Sequence, residues 1–174
     1  TSITPRIINY RFWGRNTTEL SQLRMKYYMI NIDISGQIAR KRDIYNYIED
    51  VIYHLHPRLR RNVDLSLHIV SWKPELKDYH YATCSGNNKF VDIELNRFDE
   101  NGNKFTHDQM MLNLAHELIH AKQFIKGELS PKLQRFKRKY HGKTPYSRQP
   151  WEKEAYKLES KIYNMFWVGR DKFI

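Results

Sequence analysis

The sequence predicts a single domain of the α+β class, and three observations carry that prediction. Four short stretches alternate apolar with polar residues. Three longer stretches repeat apolar residues at intervals of three and four, and 174 residues at 40% hydrophobic content suit one core of ordinary size. The elements can be justified in order. Residues 1–24 mix Arg6, Arg11, Arg15 and Arg24 with Tyr10, Phe12 and Trp13 at no regular period and are expected to form a partly ordered arm. KYYMINIDI (26–34) alternates, with Tyr28, Ile30, Ile32 and Ile34 on one face, and reads as a strand that Gly36 ends. Residues 38–55 carry Ile38, Ile44, Tyr45, Ile48, Val51, Ile52 and Leu55 on one helical stripe, closed by Pro57. LSLHIVSW (65–72), DYHYATC (78–84) and FVDIEL (90–95) supply three further strands, and Gly86, Asn87 and Asn88 mark the turn between the last two.

After the DENGN turn (99–103), Thr106 and Gln109 have the spacing of a capping box. The apolar residues Met110, Met111, Leu114, Ala115, Leu118, Ile119 and Ile125 then continue a helix until Gly127. Residues 129–149 are expected to be a loop, punctuated by Pro131, Gly142 and Pro145 and carrying seven Lys or Arg without an acid. The last helix opens at Pro150, whose missing N–H costs nothing in a first turn, and buries Trp151, Ala155, Leu158, Ile162 and Phe166.

Composition narrows the function classes. Glycine and proline together number 13 and aromatics reach 14%, which argues against disordered and fibrous proteins, and no run approaches the 18 apolar residues of a membrane span. One cysteine, Cys84, forms no internal disulfide, and no basic stretch leads into an apolar block near the start. A reducing, cytoplasmic setting and a monomer are expected. The net charge of +11 favours anionic partners.

The chemistry sits in the first of the two C-terminal helices, at His116-Glu117-Leu118-Ile119-His120. Four helical residues turn about 400°, so both imidazoles leave one face a turn apart and can grip one metal ion. Glu117, about 100° away, stands beside that ion, where a carboxylate takes a proton from a polarised water. Zinc in such a site needs a third protein ligand and one open position. The next helix offers Glu152 and Glu154, which flank the Ala155 stripe about equally, and periodicity alone does not choose between them. Tyr140, Tyr146, His141 and Tyr156 are candidate donors to an oxyanion, of which Tyr146, His141 and Tyr156 are the main ones. His54, His56, His68, His80 and His107 read as structural, and Cys84 as a small buried strand residue.

His-Glu-Leu-Ile-His-Ala-Lys-Gln (116–123), followed after the basic loop by Pro-Trp-Glu-Lys-Glu-Ala (150–155), resembles the gluzincin-type metallopeptidases of phages and bacteria, small relatives of the minigluzincins; the likeness covers residues 113–159. The resemblance implies a zincin-like fold over 1–174 with a mixed four-stranded sheet, and peptide-bond hydrolysis with one Zn²⁺. It implies His116, His120 and Glu152 as ligands, with Glu154 the alternative, and Glu117 as general base. It also implies an antiparallel edge strand that holds an extended peptide, a role FVDIEL would fill by position, and a bacterial or phage-infected host cell. The family's Asp that supports a metal-bound His falls on Tyr156 here, a departure from its pattern. The rival reading comes from KLQRFKRKYHGKTPYSR (132–148), whose clustered cations and interleaved aromatics suit nucleic acid or another acidic partner. That reading is a nucleic-acid-binding module with a structural metal. A variant of it, a protease acting on DNA-attached protein as SprT-like enzymes do, would need His141 as third ligand.

Overall fold

The computed structural model describes residues 30–72 and 79–169; the expected arm, strand residues 26–29 and the start of the expected third strand at Asp78 lie outside them. The described residues are mixed α+β, with three α-helices and a four-stranded mixed sheet. Strand β1 (Ile30–Ser35) leads to helix α1 (Lys41–Leu55) and returns as β2 (Val63–Val70), which runs parallel to β1, the crossover a parallel pair requires. Strand β3 (Ala82–Gly86) and strand β4 (Phe90–Asn96) follow, β4 parallel to β2 and β3 antiparallel to β4. The spatial order is β1-β2-β4-β3.

The period of two sets the faces. Val63, Leu65, Leu67 and Ile69 of β2 and Val91, Ile93 and Leu95 of β4 are buried on one side. Their neighbours Asp64, His68 and Asp92 lie on the other face, tied across strands by Asn31 Nδ2 to Asp64 Oδ1 at 2.8 Å and by His68 Nε2 to Asp92 Oδ1 at 2.9 Å. The inward side chains join Ile44, Tyr47, Ile48, Val51 and Ile52 of α1 in one core. Each fully buried Leu or Ile there contributes roughly 1.5–3 kcal/mol relative to an exposed one.

Helix α2 (His107–Ile125) begins at the expected capping box, Thr106 Oγ1 accepting from Gln109 N while the Gln109 side chain accepts from Thr106 N, and Gly127 closes it at a positive φ of 69°. Every residue from Glu117 to Ile125 is buried, because α2 lies between β3 and β4, α1, and α3 (Pro150–Phe166). Ala155 of α3 has no exposed surface, and its methyl lets the two helices approach closely. The end of α3 is fastened to the start of α2, where Trp167 Nε1 donates to Asp108 Oδ1 at 3.1 Å and the indole stacks on the His107 ring at 5.3 Å. His107 thus packs at the junction of α2 and α3.

Two expectations need correction. FVDIEL is not an edge: β4 sits between β2 and β3, and the antiparallel edge strand is β3, one hairpin earlier. Alternation cannot separate these cases, since a central strand with one polar face and an edge strand have the same period. The segment 129–149 is not a plain loop either. It folds into a hairpin of strands β5 (Arg135–Phe136) and β6 (Lys139–Tyr140), followed by a turn of 3-10 helix at Tyr146–Arg148. Lys137 and Arg138, at its tip, hold the positive φ that Asn-Gly would have advertised. No helix among the described residues is long and apolar enough to cross a membrane.

Gly36, at the end of β1, has φ +84°, and a Cβ there would stand 2.5 Å from the Ile69 carbonyl oxygen. Gly36→Ala should therefore lower stability by about 2 kcal/mol or more, read as a shift of the urea unfolding midpoint. A shift below about 0.5 kcal/mol would mean that the β1–β2 end relaxes freely.

Candidate metal centre

Three side chains from two helices converge. His116 Nε2 lies 3.1 Å from His120 Nε2 and 3.3 Å from Glu152 Oε2, and His120 Nε2 lies 3.4 Å from Glu152 Oε1. One ligand atom from each of the three falls within 4.8 Å of the others, a cluster that can hold a metal ion. The helical period puts the two imidazoles together, and the Ala155 contact brings the first turn of α3 to them.

The far nitrogen of each ring is also held. His116 Nδ1 donates to Glu159 Oε2 at 2.7 Å. His120 Nδ1 meets Gln123 Oε1 at 2.9 Å. The orientation of Gln123 follows from its other bonds: its amide nitrogen donates to Glu154 Oε2 at 2.7 Å and to the Trp151 carbonyl at 3.1 Å, so Oε1 must be the atom that faces His120. An acceptor there places the His120 proton on Nδ1 and turns the Nε2 lone pair toward the shared point. Both imidazoles are thus set as ligands, and the donor set of two nitrogens and one carboxylate suits a borderline divalent cation.

The two candidate acids separate. Glu152 is buried against the rings and also accepts from the Tyr146 hydroxyl at 2.9 Å. Glu154 points away, into contacts with Gln123, with Lys122 Nζ at 3.2 Å and with Lys137 Nζ at 3.0 Å. In the imidazolium form both rings also donate through Nε2 to Glu152; burial opposes charge on that carboxylate, but these hydrogen bonds outweigh it and bring its pKa down to about 2. Burial likewise works against a charged His116, yet its Glu152 hydrogen bond and the Glu117 charge push its pKa up to about 9. His120 is raised against the same burial, chiefly by its Glu152 hydrogen bond. The carboxylates thus favour positive charge at the point where a cation would bind.

Glu117 is 7% exposed and borders a cleft of about 500 Å³ whose walls include Tyr79, His80, Tyr81, His116, Tyr146 and Tyr156. Burial raises the Glu117 pKa, against the lowering effect of His120 and His116. Of the candidate donors, Tyr146 and Tyr156 line this cleft, the Tyr156 ring lying against His116 at 4.7 Å between centroids. Tyr140 and His141 are not among the cleft's lining residues. His141 packs against Trp151 at 6.1 Å and does not join the metal cluster, so it corrects the expectation that made it a donor or a third ligand.

Sequence reasoning missed three residues. Glu159 follows Glu152 by seven positions, about 700° and so nearly two full turns, which puts both acids on one face; that spacing was a usable signal. The carboxylate supporting His116 therefore comes about one turn after Tyr156. Gln123 was visible only as a letter of the motif. His80, expected to be structural, is a lining residue of the cleft, but its Nε2 is buried, 3.9 Å from Glu94 Oε2 and without a hydrogen-bond partner among the described residues; Asn113 Nδ2 is likewise buried without one. Asn96 holds that wall in place by donating to the carbonyls of Trp72 and His80.

The chain matches no protein-family model, no curated protein and no solved structure.

The geometry makes the acids separable by titration with Zn²⁺. Glu152→Gln should weaken binding about tenfold or more, since a ligand is lost. Glu159→Gln should weaken it by about 10- to 100-fold through the His116 ring, whereas Glu154→Gln should cost a few-fold at most. A larger loss in Glu154→Gln than in Glu152→Gln would reverse the ligand assignment.

Proposed function

We propose that the protein is a zinc-dependent peptidase of the zincin class, acting by general-base hydrolysis, and that the gluzincin resemblance identifies its kind. The observation that carries this reading is Glu117. A purely structural metal site has no use for a carboxylate that is buried, adjacent to the ligand cluster and open to a cleft. Zinc, when bound by His116, His120 and Glu152, supplies a Lewis acid that makes a water acidic near neutral pH and polarises a substrate carbonyl.

The chain's own residues do the rest. Glu117 accepts the proton as the water oxygen attacks the scissile carbonyl carbon, then hands it to the leaving amine as the C–N bond breaks, so that the water oxygen ends in the new carboxylate. Burial suits Glu117 to this exchange, because a carboxyl with a raised pKa holds the proton between the two steps. Tyr156 offers a hydroxyl donor to the negative charge that develops on the carbonyl oxygen, and Tyr146 can do the same only by turning its one hydroxyl proton away from Glu152. Burial, followed by the hydrogen bond to Glu152, raises the Tyr146 pKa, which keeps that hydroxyl protonated. An extended peptide has a place to bind, because β3 pairs with β4 along one side and Tyr81 and Ala82, beside the other, line the cleft.

Glu117→Gln separates catalysis from metal binding. It keeps shape and helix propensity while removing the proton acceptor. Zinc stoichiometry and melting should stay near those of the parent, and cleavage of a broad peptide library should fall by about 10²- to 10⁴-fold. Chelation of the parent should abolish cleavage and restored zinc should return it. Equal cleavage by parent and Glu117→Gln would overturn the mechanism.

A further inference from the structure

We propose that the β5–β6 hairpin and the turn after it form a binding surface for single-stranded nucleic acid, with cations on the phosphates and Tyr140 stacked on a base. The inference is independent of the metal reading and goes beyond it. Lys132, Arg135, Lys137, Arg138, Lys139, Lys143 and Arg148 are all exposed, and only Lys137 has an ion pair among the described residues. The nearest carboxylates are already engaged, Glu128 by Lys122 and Lys126, Glu154 by Lys122 and Lys137. Six cations on some seventeen residues repel one another with nothing in the fold to offset it, and a polyanion supplies that charge.

The hairpin backbone that carries them is held in place. Phe136 is buried and packs on Trp151, the Lys137 N–H donates to the Glu128 carbonyl at 2.7 Å, and the His141 N–H donates to the Gln134 carbonyl at 2.7 Å. Its tip places Lys137 and Arg138 at φ of 47° and 71°, a conformation that Asn-Gly would adopt without steric cost. The chain accepts that cost and presents two cations instead. A backbone held in place loses little freedom on binding.

Tyr140 selects the kind of polyanion. Its ring lies against Gly142, where a Cβ would overlap it, and it remains 59% exposed among the cations. An exposed aromatic ring among clustered cations suits an unpaired base; an acidic peptide or a duplex backbone has no exposed π-face to offer it. The same loop continues to Tyr146, which reaches Glu152, so a strand bound here runs beside the cleft.

Fluorescence anisotropy of a labelled twenty-nucleotide oligo-dT against the full chain tests this, with and without chelator. Binding should survive chelation and weaken with salt. The combined variant Arg135→Gln, Arg138→Gln, Lys139→Gln should reduce the slope of log affinity against log salt by about 2 and weaken binding at least about tenfold at low salt. Tyr140→Ala should weaken it about fivefold or more with the slope unchanged. A matched loss of charge elsewhere, Lys153→Gln with Lys157→Gln and Lys161→Gln on the outer face of α3, should change affinity less than about twofold. If the combined variant melts early, Arg138→Gln and Lys139→Gln alone should each lower the slope by about 0.7. Equal weakening by the α3 control, no weakening by the hairpin variants, tighter binding of a duplex of the same length, or equal competition by polyglutamate would each overturn the proposal.

Discussion

The close contact between α2 and α3 is the constraint on which the rest of this structure depends. Helix α2 is enclosed by the sheet, α1 and α3, so its second half has no solvent-facing side. A helix in that position must give every polar side chain a partner inside the protein. Ala155 permits α3 to come near enough to supply them: Glu152 and Glu159 for the histidines, Glu154 for Gln123 and Lys122. The metal cluster and the ion-pair cluster are therefore two outcomes of one packing event. Removing the small residue at the contact would disturb both.

Glu154 illustrates how a residue can serve a site without entering it. Its carboxylate fixes the amide of Gln123, the amide fixes the proton of His120, and the ring presents its lone pair to the cluster. Burial opposes charge on Glu154, but its bonds from Gln123 and Lys137 and the charge of Lys122 win, and its pKa lies below the ordinary value. Lys122, itself buried, is thereby kept between two carboxylates, the arrangement a buried ammonium requires. Four charged or polar side chains thus hold one imidazole in one tautomer.

Trp151 joins this interior to the surface. Phe136 and His141 pack on its indole, and its carbonyl accepts from Gln123. The basic hairpin and the first turn of α3 are consequently one assembly, with Glu152 beginning one residue after the anchor. Tyr146 makes a second connection from the far end of the same segment, by its hydrogen bond to Glu152.

The local patterns carried the elements. Alternation in 65–72 and 90–95, which the structure sets at 63–70 and 90–96, the stripe of α1, the Thr106–Gln109 box and the Gly127 stop are properties of neighbouring residues, and the helical pairing of His116 with His120 needs nothing beyond the period of a helix. Three matters were beyond any local pattern. Strand order is decided by which hydrophobic faces meet across the sheet, so the edge role passed from 90–95 to β3. Glu152 and Glu154 flank the same stripe equally, and only the side on which α2 lies distinguishes a cluster member from an ion-pair partner. The helical period put Glu159 on the Glu152 face, but that this face meets His116 was set by the axis of α3, as the hairpin turned His141 to Trp151. Sequence period determined which residues share a face; the tertiary packing alone decided what each face meets, because that depends on atoms distant along the chain.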